Sequence, residues 1–147
     1  MFGNKKLHTL LLVEDDEHNR ALYKKIFDEA GFDITILEHA DPPFLEVVGE
    51  MQPDVIIMDL MIAKEEGVTE REGFEAIEAL KEDAQTAHIP IFVMSSFTNE
   101  NRVIRAKQLG VVDYINKSGF NPVEVPDIIS EFLKNPKKYT PVHSLMR

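Results

Sequence analysis

The chain has 147 residues, with 16 Lys and Arg against 26 Asp and Glu, a net charge of −10 and 44% hydrophobic residues. That supplies one domain with a real core and is too apolar for a disordered segment. The acidic balance argues against a general nucleic-acid binder, and the absence of cysteine excludes a disulfide framework, a thiolate metal site and a cysteine nucleophile, which fits a reducing, cytoplasmic setting.

In chain order, Leu7 to Val13 has the apolarity of a short secretory signal but not its architecture. His8 interrupts it, and Glu14-Asp15-Asp16-Glu17 stands where a small-residue cleavage site would lie. It reads instead as a first strand, Thr9–Val13. No run of about 18 apolar residues occurs anywhere, so no membrane span is expected. Asp16 caps a helix through Ala30, with Leu22, Ile26 and Ala30 on one face and Gly31 as the stop. Strand Ile34–Leu37 follows, and Asp41-Pro42 opens a second helix. Strand Asp54–Met58 precedes a helix from about Gly73 to Lys81 that turns Phe74, Ile77 and Leu80 inward. After strand Ile89–Met94, Asn99 or Thr98 caps a helix carrying Val103, Ile104 and Ala106 and stopping at Gly110. The fifth strand is Val111–Ile115. Asn121-Pro122 introduces a last helix, re-capped at Pro126-Asp127 and ending near Lys134.

Most of these strands are nearly continuous Leu, Ile, Val and Met, as expected when helices cover both faces of a parallel sheet. Strand and helix alternating five times predicts a doubly wound α/β domain over residues 1–134. The tail, 135–147, has two prolines, three basic residues and no acid, and reads as a loose end or linker stub.

In such a sheet the residues following each strand gather along one edge, where these folds bind ligands. Strand one runs into Glu14, Asp15 and Asp16, strand three into Asp59, strand four into Ser95, and strand five into Asn116 and Lys117. Singly these have ordinary readings: helix-start acids, a loop acid, a common serine, a solvated lysine. Jointly they make a site. Crowded carboxylates raise one another's pKa unless a cation neutralises them, and oxygen ligands near a phosphate suit Mg²⁺. Asp59 can then attack phosphorus to form an acyl phosphate, with Lys117 offsetting charge and Ser95 hydrogen-bonding a transferred oxygen.

At these residues the chain resembles a response-regulator receiver domain of two-component signalling, over about Leu7 to Leu133. The carrying motifs are Leu12-Val13-Glu14-Asp15-Asp16, Asp54 to Met61 around Asp59, Pro90 to Ser95, and Gly110 to Lys117. The resemblance implies a flavodoxin-like five-stranded parallel sheet in order 2-1-3-4-5 with helices on both faces. It implies Asp59 as phosphoacceptor, Asp15 as direct Mg²⁺ ligand, Glu14 as ligand through water, and the Met61 carbonyl as a further ligand. Ser95 would be the switch hydroxyl, Lys117 the phosphate partner and Tyr114 the switch aromatic, although Tyr114 also reads as simple packing at an edge strand.

So read, the chain is a stand-alone phosphoacceptor rather than an enzyme. It takes its phosphoryl group from a histidine kinase or phosphotransfer protein and signals through a downstream protein, with the face formed by helix four, strand five and helix five as the candidate surface for that partner or for a dimer. Two departures stand out. An inserted charged stretch, Lys64 to Glu72, delays what looks like the helix-opening Gly73, and Ser118 stands where the family usually has proline. Met61 and Phe97 hold the positions that flank the hydrolytic water in the family, and their apolar side chains predict a slowly hydrolysing phosphoaspartate. The alternatives are a haloacid-dehalogenase-type Mg²⁺ phosphatase, whose motif order differs, and a degenerate receiver that only binds.

Overall fold

The computed structural model describes residues 7–40, 43–60, 68–96 and 99–147, with side chains described at all of these except 68–72. The elements are β1 (Thr9–Val13), α1 (Glu17–Glu29), β2 (Asp33–Leu37), α2 (Phe44–Met51), β3 (Val55–Asp59), α3 (Val68–Glu82), β4 (Ile91–Ser95), α4 (Glu100–Gln108), β5 (Asp113–Asn116) and α5 (Val125–Lys134). All strand pairings are parallel, in the order β2-β1-β3-β4-β5. This is the doubly wound architecture expected from the alternation, in the flavodoxin-like order that the resemblance implied.

Because successive side chains of a strand point to opposite faces, each strand feeds two cores. Leu11, Val13, Ile56, Met58, Ile91 and Val93 pack with Val48 of α2, Ile77 and Leu80 of α3 and Val103 of α4. Leu10, Leu12, Val55, Ile57, Phe92 and Met94 pack with Phe27 of α1 and Ile129 of α5. With both faces covered, β3 and β4 have no exposed position, which is why their sequences show no polar alternation.

Local chemistry sets the helix ends. Asp16 accepts from the His18 amide at 2.9 Å and Asn99 from the Arg102 amide at 3.0 Å, capping α1 and α4. Gly31 and Gly110 take φ of 88° and 82°, and the following Phe32 and Val111 amides close back onto Phe27 and Ala106. That closure carries Val111 into the α4 terminus, so β5 begins at Asp113 rather than at Val111. Asn121 and Glu124 form a reciprocal capping box ahead of α5, where Pro126 sits in the first turn and costs no hydrogen bond. Asp41, Pro42 and Thr98 lie outside the described residues, and α2 starts at Phe44.

Two expectations need correction. Gly73 does not open the third helix, which begins five residues earlier, at Val68. A Cβ on Gly73 would fall against the Leu60 side chain, so the glycine lets the helix pass close over the residue after β3. Only part of the inserted stretch can therefore be loop, and residues 61–67 lie outside the described residues. Nor is the tail loose. Residues 135–147 wrap the free edge of β5: Tyr139 stacks edge-on against Phe92 and Phe132, and Met146 is buried in the other core. Its anchor is Asp113, whose buried carboxylate takes one donor from β5, the Tyr114 amide, and the others from the tail. No described helix is long and apolar enough to cross a membrane.

Candidate functional site

The strand registers place the chemistry. Val13 pairs with Met58, Asp59 with Met94, and Ser95 with Asn116, so the residues ending β1, β3, β4 and β5 come level at one edge. Glu14 follows β1 immediately, its amide bonded to the Leu37 carbonyl at 2.9 Å, and is buried. Asp59 ends β3 and is 6% exposed; Ser95 ends β4 and is fully buried. Lys117 follows β5 in a short 3₁₀ turn that Asn116 caps by accepting from the Ser118 amide at 3.0 Å. Proline could not donate that bond, so the departure at Ser118 has a local use.

Lys117 reaches back to join two acids. Its Nζ contacts Asp59 Oδ2 and lies 3.2 Å from Glu14 Oε1, with the side chain 14% exposed. The Lys117 ammonium also stands 5.8 Å from the ring centre of Tyr23, a cation–π contact on the α1 side. Asp59 Oδ1 has no hydrogen-bond partner among the described residues. Burial pushes the Asp59 carboxyl well above the usual carboxylate range; neighbouring Glu14 adds to the rise, and Lys117 opposes it. For Lys117, burial alone would lower the pKa, but Asp59 and Glu14 outweigh it and the ammonium is held above its ordinary value.

Asp15 is exposed beside this centre, and its main chain is clamped by Arg20, whose Nη1 donates to the Asp15 carbonyl at 2.7 Å while Nη2 pairs with Glu38 at 3.1 Å. Among the described residues no three His, Asp or Glu side chains converge as a preformed metal cage. The donor set still fits Mg²⁺, a hard ion that keeps waters and takes one or two carboxylates: Asp59 Oδ1, unpartnered among the described residues, and the exposed Asp15 offer oxygen only. Met61 and Phe97 lie outside the described residues. A cleft of about 370 Å³ opens beside the site, lined by Asp16, Asn19, Tyr23, Leu60, Ser96 and Lys117 among others.

The structure thus brings Glu14, Asp59 and Lys117 into contact and sets Asp15 and Ser95 at the same edge. Tyr114 is fully buried in β5, its ring 5.9 Å from that of His143 in the tail. Sequence reasoning missed Tyr23 and Arg20. Both lie on α1, and the only signal was their place one and two turns after the acidic run.

Comparisons with known proteins agree on the family. A family model for the response regulator receiver domain matches residues 10–130. The polar-differentiation response regulator DivK of Brucella ovis is 30% identical over 121 residues, covering 82% of this chain and 89% of that protein. A signal receiver domain of two-component signal transduction (histidine kinase) from Clostridium thermocellum superposes with a TM-score of 0.70 at 27% identity, covering 86% of this chain and 98% of that one. For the chemotaxis response regulator CheY4 of Vibrio cholerae the TM-score is 0.70 at 22% identity, over 87% and 99% of the two chains, a likeness of fold. The chain belongs to the response regulator receiver domain family of two-component systems.

Proposed function

We propose that this receiver accepts a phosphoryl group on Asp59 from the phosphohistidine of a histidine kinase or phosphotransfer protein, in the cytoplasm, and passes the signal to a partner protein. The observation that carries the reading is the state of Asp59: a buried carboxylate with one oxygen against Lys117 and the other without a partner among the described residues. Such a group is costly to keep for stability alone and is placed to react.

In the step itself, an Asp59 oxygen forms a bond to phosphorus as the phosphorus–nitrogen bond of the donor breaks, its electron pair returning to the imidazole. Lys117 offsets charge on the transferring oxygens while Glu14 holds its ammonium in place. Mg²⁺, held by Asp59 and Asp15, with Glu14 through water and the Met61 carbonyl, would supply charge neutralisation when bound. Afterwards Ser95 hydrogen-bonds a phosphoryl oxygen and Tyr114 repacks, altering the face formed by α4, β5 and α5.

Incubation with acetyl phosphate and Mg²⁺ followed by mass spectrometry tests this. A phosphoryl adduct confined to Asp59 is expected; no adduct, or one elsewhere, would leave a degenerate receiver that only binds. If Met61 and Phe97 obstruct the hydrolytic water, a Met61→Asn, Phe97→Glu double variant loses the adduct faster than the parent.

A further inference from the structure

The proposed output face already has an occupant. Asp113, fully buried at the start of β5, accepts from the Tyr139 hydroxyl at 2.5 Å, the Val142 amide at 2.7 Å and the His143 amide at 3.3 Å. Met146 fills the core cluster that holds Val103 and Ala106 of α4 and Tyr114 of β5. Lys107 of α4 donates to the Arg147 main-chain oxygen at 2.9 Å. Tail residues thus touch α4, β5 and, through Phe132, α5.

The hold is narrow. Thr140, Ser144 and Leu145 are exposed, Tyr139 and Pro141 to His143 are half-buried, and of residues 139–147 only Met146 is buried. A segment attached by side chains, through the Asp113 carboxylate, the Tyr139 and His143 rings, Lys107 and the one buried Met146, can lift without opening the sheet. Its hold is also wired to Tyr114. The Tyr114 amide donates to Asp113 Oδ1 at 2.8 Å, the oxygen that also receives the His143 amide, and the two rings meet edge-on. Tyr114 cannot repack without disturbing His143.

We propose that residues 139–147 are a resident ligand of the α4–β5–α5 face, and that modification of Asp59 loosens them so that a partner segment of like chemistry takes their place. That partner is a segment with an aromatic hydroxyl or amide donors for Asp113 and an apolar side chain for the Met146 site. The inference rests on Asp59 as phosphoacceptor.

The test uses the full chain with Mg²⁺ and beryllofluoride as phosphoryl mimic, and follows amide exchange by NMR. Exchange at Val142, His143 and Met146 is expected to rise about tenfold, with β1 and β3 unchanged. His143→Ala, which removes the ring against Tyr114 and keeps the donors to Asp113, should raise the fraction of Asp59 modified by acetyl phosphate several-fold, since coupling is reciprocal. If beryllofluoride shifts the Glu14 and Lys117 resonances but the tail amides do not respond, the tail is a fixed cover: the inference falls and the phosphoacceptor stands. An unchanged modified fraction in His143→Ala has the same meaning. If neither beryllofluoride nor acetyl phosphate engages Asp59, the phosphoacceptor reading falls, and the coupling with it.

Discussion

Two aspartates among the described residues are buried in this sheet, at opposite edges and in opposite conditions. Asp113, at the amino end of β5, is met by four donors: the Tyr114, Val142 and His143 amides and the Tyr139 hydroxyl. Asp59, at the carboxyl end of β3, has one ammonium that it shares with Glu14 and an oxygen with no partner among the described residues. A buried carboxylate whose lone pairs are all used is structural. One held short of partners costs stability and keeps an oxygen available for chemistry. The sheet therefore separates two conditions: the edge where strands end holds the under-partnered Asp59, and the edge where β5 begins fastens the tail.

Substitution at each should break the molecule in a different way. Asp59→Asn should abolish the phosphoryl adduct, the largest effect expected here, and lower unfolding free energy in urea by no more than about 1 kcal/mol, because Lys117 keeps Glu14. Asp113→Ala leaves the Tyr139 hydroxyl and two tail amides without their acceptor and should cost about 3 kcal/mol in the same urea titration, with the Asp59 adduct still formed. If Asp59→Asn proved the more destabilising of the two, the division between a reactive and a structural aspartate would be wrong.

The edge that carries Asp59 was legible in the sequence and the fastening edge was not, for a physical reason. Glu14, Asp59 and Ser95 follow an apolar run directly and Lys117 follows one after Asn116, so strand periodicity alone carries them to one edge, whatever the rest of the chain does. Asp113 owes its role to donors 26 to 30 residues away in a tail whose prolines and lack of apolar periodicity suggest no element. Gly73 misled for a related reason. Glycine is a common helix punctuator, and the close approach to Leu60 that requires it here is tertiary. Tyr114 lay between these cases: its position was readable from spacing to Lys117, but its neighbour His143 was not.

The comparison sharpens with pH. The folded Asp59 carboxyl sits above its ordinary value of 3.8, so between that pH and its folded pKa the native state binds a proton that the unfolded chain has released. Stability from this group is therefore present below pH 3.8 and is lost as pH rises through the folded pKa. The difference in unfolding free energy between parent and Asp59→Asn, followed in urea from pH 3.8 upward, should move in favour of the variant as pH rises. Mg²⁺ should offset that loss, since it binds the ionised form. A difference that stays flat with pH would mean that Asp59 is better solvated than its contacts imply.

The smallest effect tests the fastening edge from inside. Tyr139→Phe removes one donor from Asp113 Oδ2 but leaves the Val142 amide on that same oxygen at 2.7 Å, so the carboxylate is not stranded. The ring keeps its edge-on contacts with Phe92 and Phe132. The loss should be that of a single hydrogen bond to a charged acceptor, about 1–2 kcal/mol, and should appear first as faster exchange of the Val142 amide rather than as global unfolding. A second sign follows from ionisation. Burial, then Asp113, hold the Tyr139 hydroxyl above its ordinary value of 10.0, so its contribution is complete below that pH and is lost as the hydroxyl ionises in stronger alkali. Parent and Tyr139→Phe should accordingly converge in Val142 protection above pH 10. A gap that persists there would place the hold of the tail in its ring packing and Met146 rather than in Asp113.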